Sequence, residues 1–113
     1  MADELRELPG PYEILELRDG ETRELMITSY SRGRVTIYPP HRPTGKVIEA
    51  LRVHVPKEYK DYFPWYWDIT SKFLCAQMLG YLEAGDFKNK RYIITKHGVA
   101  PKARFELKVV PVS

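Results

Sequence analysis

Asp68-Ile-Thr-Ser-Lys-Phe-Leu-Cys-Ala-Gln-Met-Leu-Gly-Tyr-Leu-Glu83 is the stretch of this 113-residue chain with the one strong helical pattern. Ile69, Phe73, Ala76 and Leu79 recur at helical spacing, and Leu74, Met78 and Leu82 widen the apolar stripe. Asp68 or Thr70 can cap the start by accepting backbone N–H bonds. Gly85 fits the left-handed residue that closes a helix, and Phe87 can then fold back on the last turn. Phe73 and Leu79 are expected to face the rest of the core. Outside this segment the apolar residues alternate, so the fold class follows from one helix set among strands.

Upstream, Tyr12 to Leu17 reads as a strand, Asp19-Gly20 as a hairpin turn, and Arg23 to Ser31 as the returning strand. Arg32-Gly33 makes a further turn before Arg34 to Tyr38, in which Val35 and Ile37 share one face. Pro39-Pro40-His41-Arg42-Pro43-Thr44-Gly45 is a stiff, basic loop, because proline fixes φ and lowers the entropy of the unfolded chain. Lys46 to Val55 resumes alternation and Pro56 ends it. Downstream, Tyr92 to Lys96 and Ala103 to Val110 bracket a last hairpin, with Phe105, Leu107 and Val109 on one side. The predicted order is ββββαββ: a single α+β domain over residues 10–113, an antiparallel sheet built from hairpins with the helix on one face, preceded by a loose acidic lead-in over residues 1–9. That order departs from the five-strand pattern of an OB-type barrel, whose helix falls between the third and fourth strands. Arg32 to Tyr38 lacks the aromatic that follows the glycine in an RRM strand motif, and no family is assigned.

The length fits one domain with one core. No run of eighteen apolar residues occurs, and Met1 to Glu7 is acidic without an apolar stretch, so neither a membrane span nor a signal peptide is expected and the chain reads as cytoplasmic. Cys75 is the single cysteine, which excludes an internal disulfide and a cysteine-based zinc site. One Asn and one Gln stand against 18 Lys and Arg, 15 Asp and Glu and nine Pro, a thermophile-like composition. The net charge of +3 is unevenly spread: residues 1–25 carry −5, residues 26–67 carry +4 and residues 86–113 carry +5. An acidic end and two basic blocks favour anionic partners.

Motifs for chemistry are missing. Cys75 sits between Leu74 and Ala76 and reads as a small hydrophobe. Ser71 and Thr70 lie at a helix start with no nucleophile elbow around them. His41, His54 and His97 have no metal-ligand spacing, no glycine-rich phosphate loop occurs, and Asp61, Asp68, Glu83 and Asp86 have ordinary capping or surface roles. No catalytic, metal or cofactor site is expected.

What remains is basic–aromatic interleaving. Residues 59–67, Tyr-Lys-Asp-Tyr-Phe-Pro-Trp-Tyr-Trp, contain six aromatics and both tryptophans. Trp67 adjoins the helix start and is the ring to assign to the core. The expected function is non-catalytic binding of RNA or single-stranded DNA, with Arg32, Arg34, Arg42, Lys46, Arg52, Lys90 and Arg91 holding phosphates and Tyr30, Tyr38, Trp65 and Tyr66 stacking on bases. The last hairpin is also ringed by Lys96, His97, Lys102 and Arg104. The alternative is a small protein-interaction subunit of a larger assembly, such as a ribonucleoprotein, docking or self-associating through residues 59–67.

Overall fold

The computed structural model describes residues 6–38, 43–99 and 102–112. Among them are β1 (Thr22–Met26), β2 (Ser29–Ile37), β3 (Lys46–His54), β4 (Tyr66–Ile69), α1 (Lys72–Glu83), a short 3-10 turn (Phe87–Asn89), β5 (Lys90–His97) and β6 (Arg104–Pro111). The chain is a single α+β domain in the order ββββαββ, with its strands divided between two antiparallel sheets, β1-β5-β6 and β2-β3-β4. Two of the expected strands are placed differently. Tyr12 to Leu17 is extended but makes only an isolated parallel bridge, Ile14 to Asp68, while the fourth strand comes from the end of the aromatic run.

Arg32-Gly33 is not a turn; β2 runs straight through it, paired with Leu51 and Ala50 of β3. The glycine is there for close approach. A Cβ at residue 33 would stand 2.5 Å from Leu8 Cγ and 2.7 Å from the carbonyl oxygen of Arg6. Because one of those atoms is backbone, the clash cannot be relieved by a rotamer change. Gly33→Ala is therefore expected to destabilise the domain by about 1–3 kcal/mol, read from urea denaturation; an unchanged midpoint would mean that the N-terminal segment shifts without cost.

The two sheets share one bent strand. β1 leaves the first sheet at Met26, buried Ile27 fills the corner, and Thr28 donates its N–H to the His54 carbonyl at 2.8 Å as β2 begins. A strand that changes sheets at a bend is how orthogonally packed sheets make a corner. With β1 and β2 taken as halves of one strand, the helix falls between the third and fourth strands. The first strand then borders both the second, β3, and the fourth, β5. That is the connectivity of an OB-type barrel, partly open because no pairing joins β4 to β6 among the described residues. The sequence pattern does not show this, because Arg32-Gly33 reads as a turn that cuts the bent strand in the wrong place and Tyr12 to Leu17 reads as a strand of its own.

Residues 6–15 form a strap across the outer face of β2-β3-β4. Leu8 donates its N–H to the Arg34 carbonyl at one sheet edge, and Leu15 donates to the Asp68 carbonyl at the other, both at 2.9 Å. Between them Leu8, Tyr12 and Ile14 pack with Val35, Ala50, Ile37 and Ile48 into a second small core. The lead-in expected to be loose thus supplies a buried leucine; residues 1–5 lie outside the described residues.

The main core lies on the inner face, where Leu51, Val53, Trp67 and Ile69 meet Leu25, Tyr92 and Ile94 of the other sheet and Leu74, Met78 and Leu82 of α1. α1 starts later than the sequence period implies, because Tyr66–Ile69 is taken up in pairing with β3. Ser71, not Asp68 or Thr70, is the N-cap, its Oγ accepting from the Leu74 N–H at 3.3 Å. The buried stripe is Leu74, Met78 and Leu82, four residues apart. Leu79 is half-buried, and Phe73, expected inside, is 86% exposed. Gly85 has the positive φ of +100° expected after the helix, and Phe87 meets Tyr30 edge-on with centroids 5.4 Å apart.

Candidate functional site

Two hairpins, β2–β3 and β5–β6, contribute to one concavity. Thr36, Tyr38 and Ile48 from the first hairpin and Lys96 and Phe105 from the second line a single cleft of about 710 Å³, floored by Tyr12, Ile14, Leu15 and Ile37. Tyr38 is 73% exposed. Its ring rests against Gly45, where a Cβ would come within 2.9 Å of Tyr38 Cε1, so the glycine makes room for the ring against the opposite limb of its own hairpin. The second hairpin is pinned by Asp19 Oδ1, which accepts from the Gly98 N–H at 2.8 Å, and by His97 Nε2 at 3.0 Å from Glu106 Oε1.

One cation, Lys96, lines this cleft, and three others stand near the loop ends of the same two hairpins. Lys46 lies opposite Ile37 at the start of β3, Lys96 lines the cleft, and Lys102 and Arg104 follow in the second hairpin. None of these four makes an ion pair among the described residues. Glu16 is the one carboxylate in the lining. Tyr12 donates its hydroxyl to Glu7 Oε2 at 2.7 Å, and that bond, with burial, raises its pKa, so it stays a neutral donor at the cleft floor.

The residues expected to contact nucleic acid do not all gather there. Tyr38 and Lys46 do. Arg42 lies outside the described residues. Arg32 and Arg34 are exposed on β2, and Arg34 has Glu49 as its cross-strand neighbour. Tyr30 is half-buried against the core. Lys90 is 3.8 Å from Asp86, and Arg91 is 3.5 Å from Glu24. Trp65 is 43% exposed but belongs to the loop before β4, apart from the cleft lining.

Arg52 and Tyr66 are given other work. Arg52 is 3% exposed: its Nε donates to Asp68 Oδ1 at 2.7 Å, Nη2 to Oδ2 at 3.0 Å and Nη1 to the Pro9 carbonyl at 2.7 Å. Its guanidinium also lies 3.9 Å from the Tyr66 ring centroid, and the Tyr66 hydroxyl donates to the Pro11 carbonyl at 2.6 Å. This cluster ties the strap to the sheet, so the structure removes Arg52 from the phosphate-binding set. Conversely, Lys96 and Phe105 line the cleft and Arg104 lines the groove next to it, roles that the alternating pattern of the last hairpin does not show. The ring of cations around the last hairpin was a visible signal; Phe105 read as core.

The aromatic run is largely a clamp. Trp67 is buried, as expected, with Arg23 stacked 4.8 Å from its centroid. Lys60 is buried too, its Nζ donating to the Pro64 and Tyr62 carbonyls, the latter at 3.2 Å, while lying 3.8 Å from the Tyr62 ring centroid. Burial lowers the Lys60 pKa by disfavouring the charged form. Tyr62, Phe63 and Trp65 are left exposed at the surface.

Cys75 Sγ donates to the Ile69 carbonyl at 3.1 Å, and burial pushes its thiol up to about 11, which keeps it protonated and poorly nucleophilic at neutral pH. Among the described residues no three His, Cys, Asp or Glu side chains come together to hold a metal ion. Among the same residues no helix is long and apolar enough to cross a membrane. No family model, curated protein or solved structure matches the chain.

Proposed function

We propose that this protein binds single-stranded nucleic acid, RNA or DNA, without catalysis, in the cleft that the two hairpins line. The observation that carries the reading is Tyr38, a large aromatic side chain 73% exposed at a cleft that Lys96 lines, with Lys46, Lys102 and Arg104 on the same two hairpins and none of the four ion-paired among the described residues. An exposed aromatic face stacks on an unpaired base of any identity, and lysines and arginines spaced around it neutralise successive phosphates. Lys46, Lys96, Lys102 and Arg104 take that role, and Tyr38 is the stacking platform. Barrel connectivity alone assigns no function; the reading is supported by one cleft that residues of both hairpins line.

Fluorescence anisotropy with labelled single-stranded oligonucleotides tests the reading. Binding is expected to weaken steeply with salt, with a log–log slope of about −3 if four phosphates are neutralised. Tyr38→Ala is expected to cost about 1–3 kcal/mol of binding, roughly 5- to 150-fold, without loss of folding. No binding at low ionic strength to RNA or single-stranded DNA would overturn the proposal. It would favour the second reading, a protein-interaction subunit docking through Tyr62, Phe63 and Trp65, which stand 51%, 67% and 43% exposed on one loop.

A further inference from the structure

The geometry points to a second stacking platform, Phe73, on the first turn of α1, and to a single-stranded nucleic-acid path that runs from the cleft across Phe105 onto that turn. The inference rests on the proposed nucleic-acid reading and extends it to residues that the cleft does not contain. Ser71, Phe73, Gln77, Ala103, Arg104 and Phe105 line a separate groove of about 280 Å³. Phe105 also lines the cleft beside Tyr38, so the two concavities meet at one aromatic side chain. Tyr38, Phe105 and Phe73 therefore mark the beginning, middle and end of one track.

Exposure and charge both fit an anionic, unstacked strand. Phe73 is 86% exposed, more than any other large hydrophobic side chain described. A lone surface phenylalanine needs no explanation. This one borders a groove whose other aromatic wall is half-buried Phe105 and whose only charged lining residue is Arg104. Lys72 beside it and Lys102 beyond Ala103 are exposed and make no ion pair among the described residues, and the first turn of α1 carries no acidic residue. A polyanion with flat bases meets cations and an open ring along the whole path, whereas an apolar protein partner would leave those cations unpaired and desolvated.

The test is the length dependence of binding. Oligothymidylates of about four and about twelve nucleotides span the range that single small barrels cover. Wild-type protein, Tyr38→Ala and Phe73→Ala are compared by anisotropy at one salt concentration. Phe73→Ala is expected to bind the short oligonucleotide like wild type and the long one about tenfold or more weakly, while Tyr38→Ala weakens both. Wild-type binding that Phe73→Ala leaves unchanged at both lengths would overturn the second platform while the cleft reading stands. Failure of the wild type to bind either length would overturn both. Sedimentation adds a control: a wild-type dimer that Phe73→Ala converts to a monomer would assign the exposed ring to self-association and overturn the inference.

Discussion

Asp68→Ala is expected to destabilise the domain by about 3–5 kcal/mol, because it leaves the Arg52 guanidinium buried without its counter-ion. Asp68 is fully buried, and its carboxylate accepts from both Nε and Nη2 of Arg52 while Oδ2 also accepts the Glu13 N–H at 3.0 Å. One side chain therefore joins β3, β4 and the strap. Arg52→Ala should cost about as much, since it orphans Asp68 and frees the Pro9 carbonyl. Replacing both by apolar residues of similar volume is expected to recover much of the loss, because no unpaired charge then remains. Urea denaturation of the two single variants and the double variant forms the cycle. Single variants costing less than about 1 kcal/mol would mean that water reaches the site and that the strap is not held there. Oligonucleotide binding by the surviving folded protein should change little, since Arg52 does not reach the cleft.

That cluster also shows where sequence reading stops. On an alternating strand a lone arginine reads as solvent-facing, and Asp68, sixteen residues away, read as a helix cap. Neither residue carries a local sign that they meet. β3 breaks the simple rule further: Ala50, Leu51, Arg52 and Val53 are all buried, while Val47 is 60% exposed. Alternation marks a strand with one wet face, and here the strap dries the outer face over part of its length. Gly33 was read as a turn because glycine has two uses, positive φ and close approach, and only the position of Leu8 distinguishes them. By contrast, the last hairpin, the left-handed Gly85 and the buried Trp67 were legible, since each depends on a local pattern or on immediate neighbours. For the site, the exposure of Tyr38 was legible, while Pro39 to Arg42 of the expected basic loop lie outside the described residues. Convergence of the two hairpins on one cleft was not, because it follows from the bend at Ile27-Thr28.

The helix separates period from face, and a matched pair of substitutions measures the difference. Leu74→Ala is expected to cost about 2–5 kcal/mol, through lost apolar transfer and the cavity left among Leu51, Ile69 and the other core side chains. Phe73→Ala, one residue earlier and with more carbon removed, should lie within about 0.5 kcal/mol of wild type. Consecutive residues of an α-helix point about 100° apart, so only one of the two can face the sheets, and Met78 and Leu82 extend the Leu74 stripe. Sequence period alone fits both stripes, because Ile69, Phe73, Ala76 and Leu79 also recur at helical spacing. Ile69 settles it: held in β4 through pairing with Leu51, it cannot contribute to a helical face, and the stripe built on it loses its first member. Thermal and urea unfolding of both variants decide the matter. A large loss for Phe73→Ala and a small one for Leu74→Ala would mean that α1 is rotated, and the second stacking platform would then be buried.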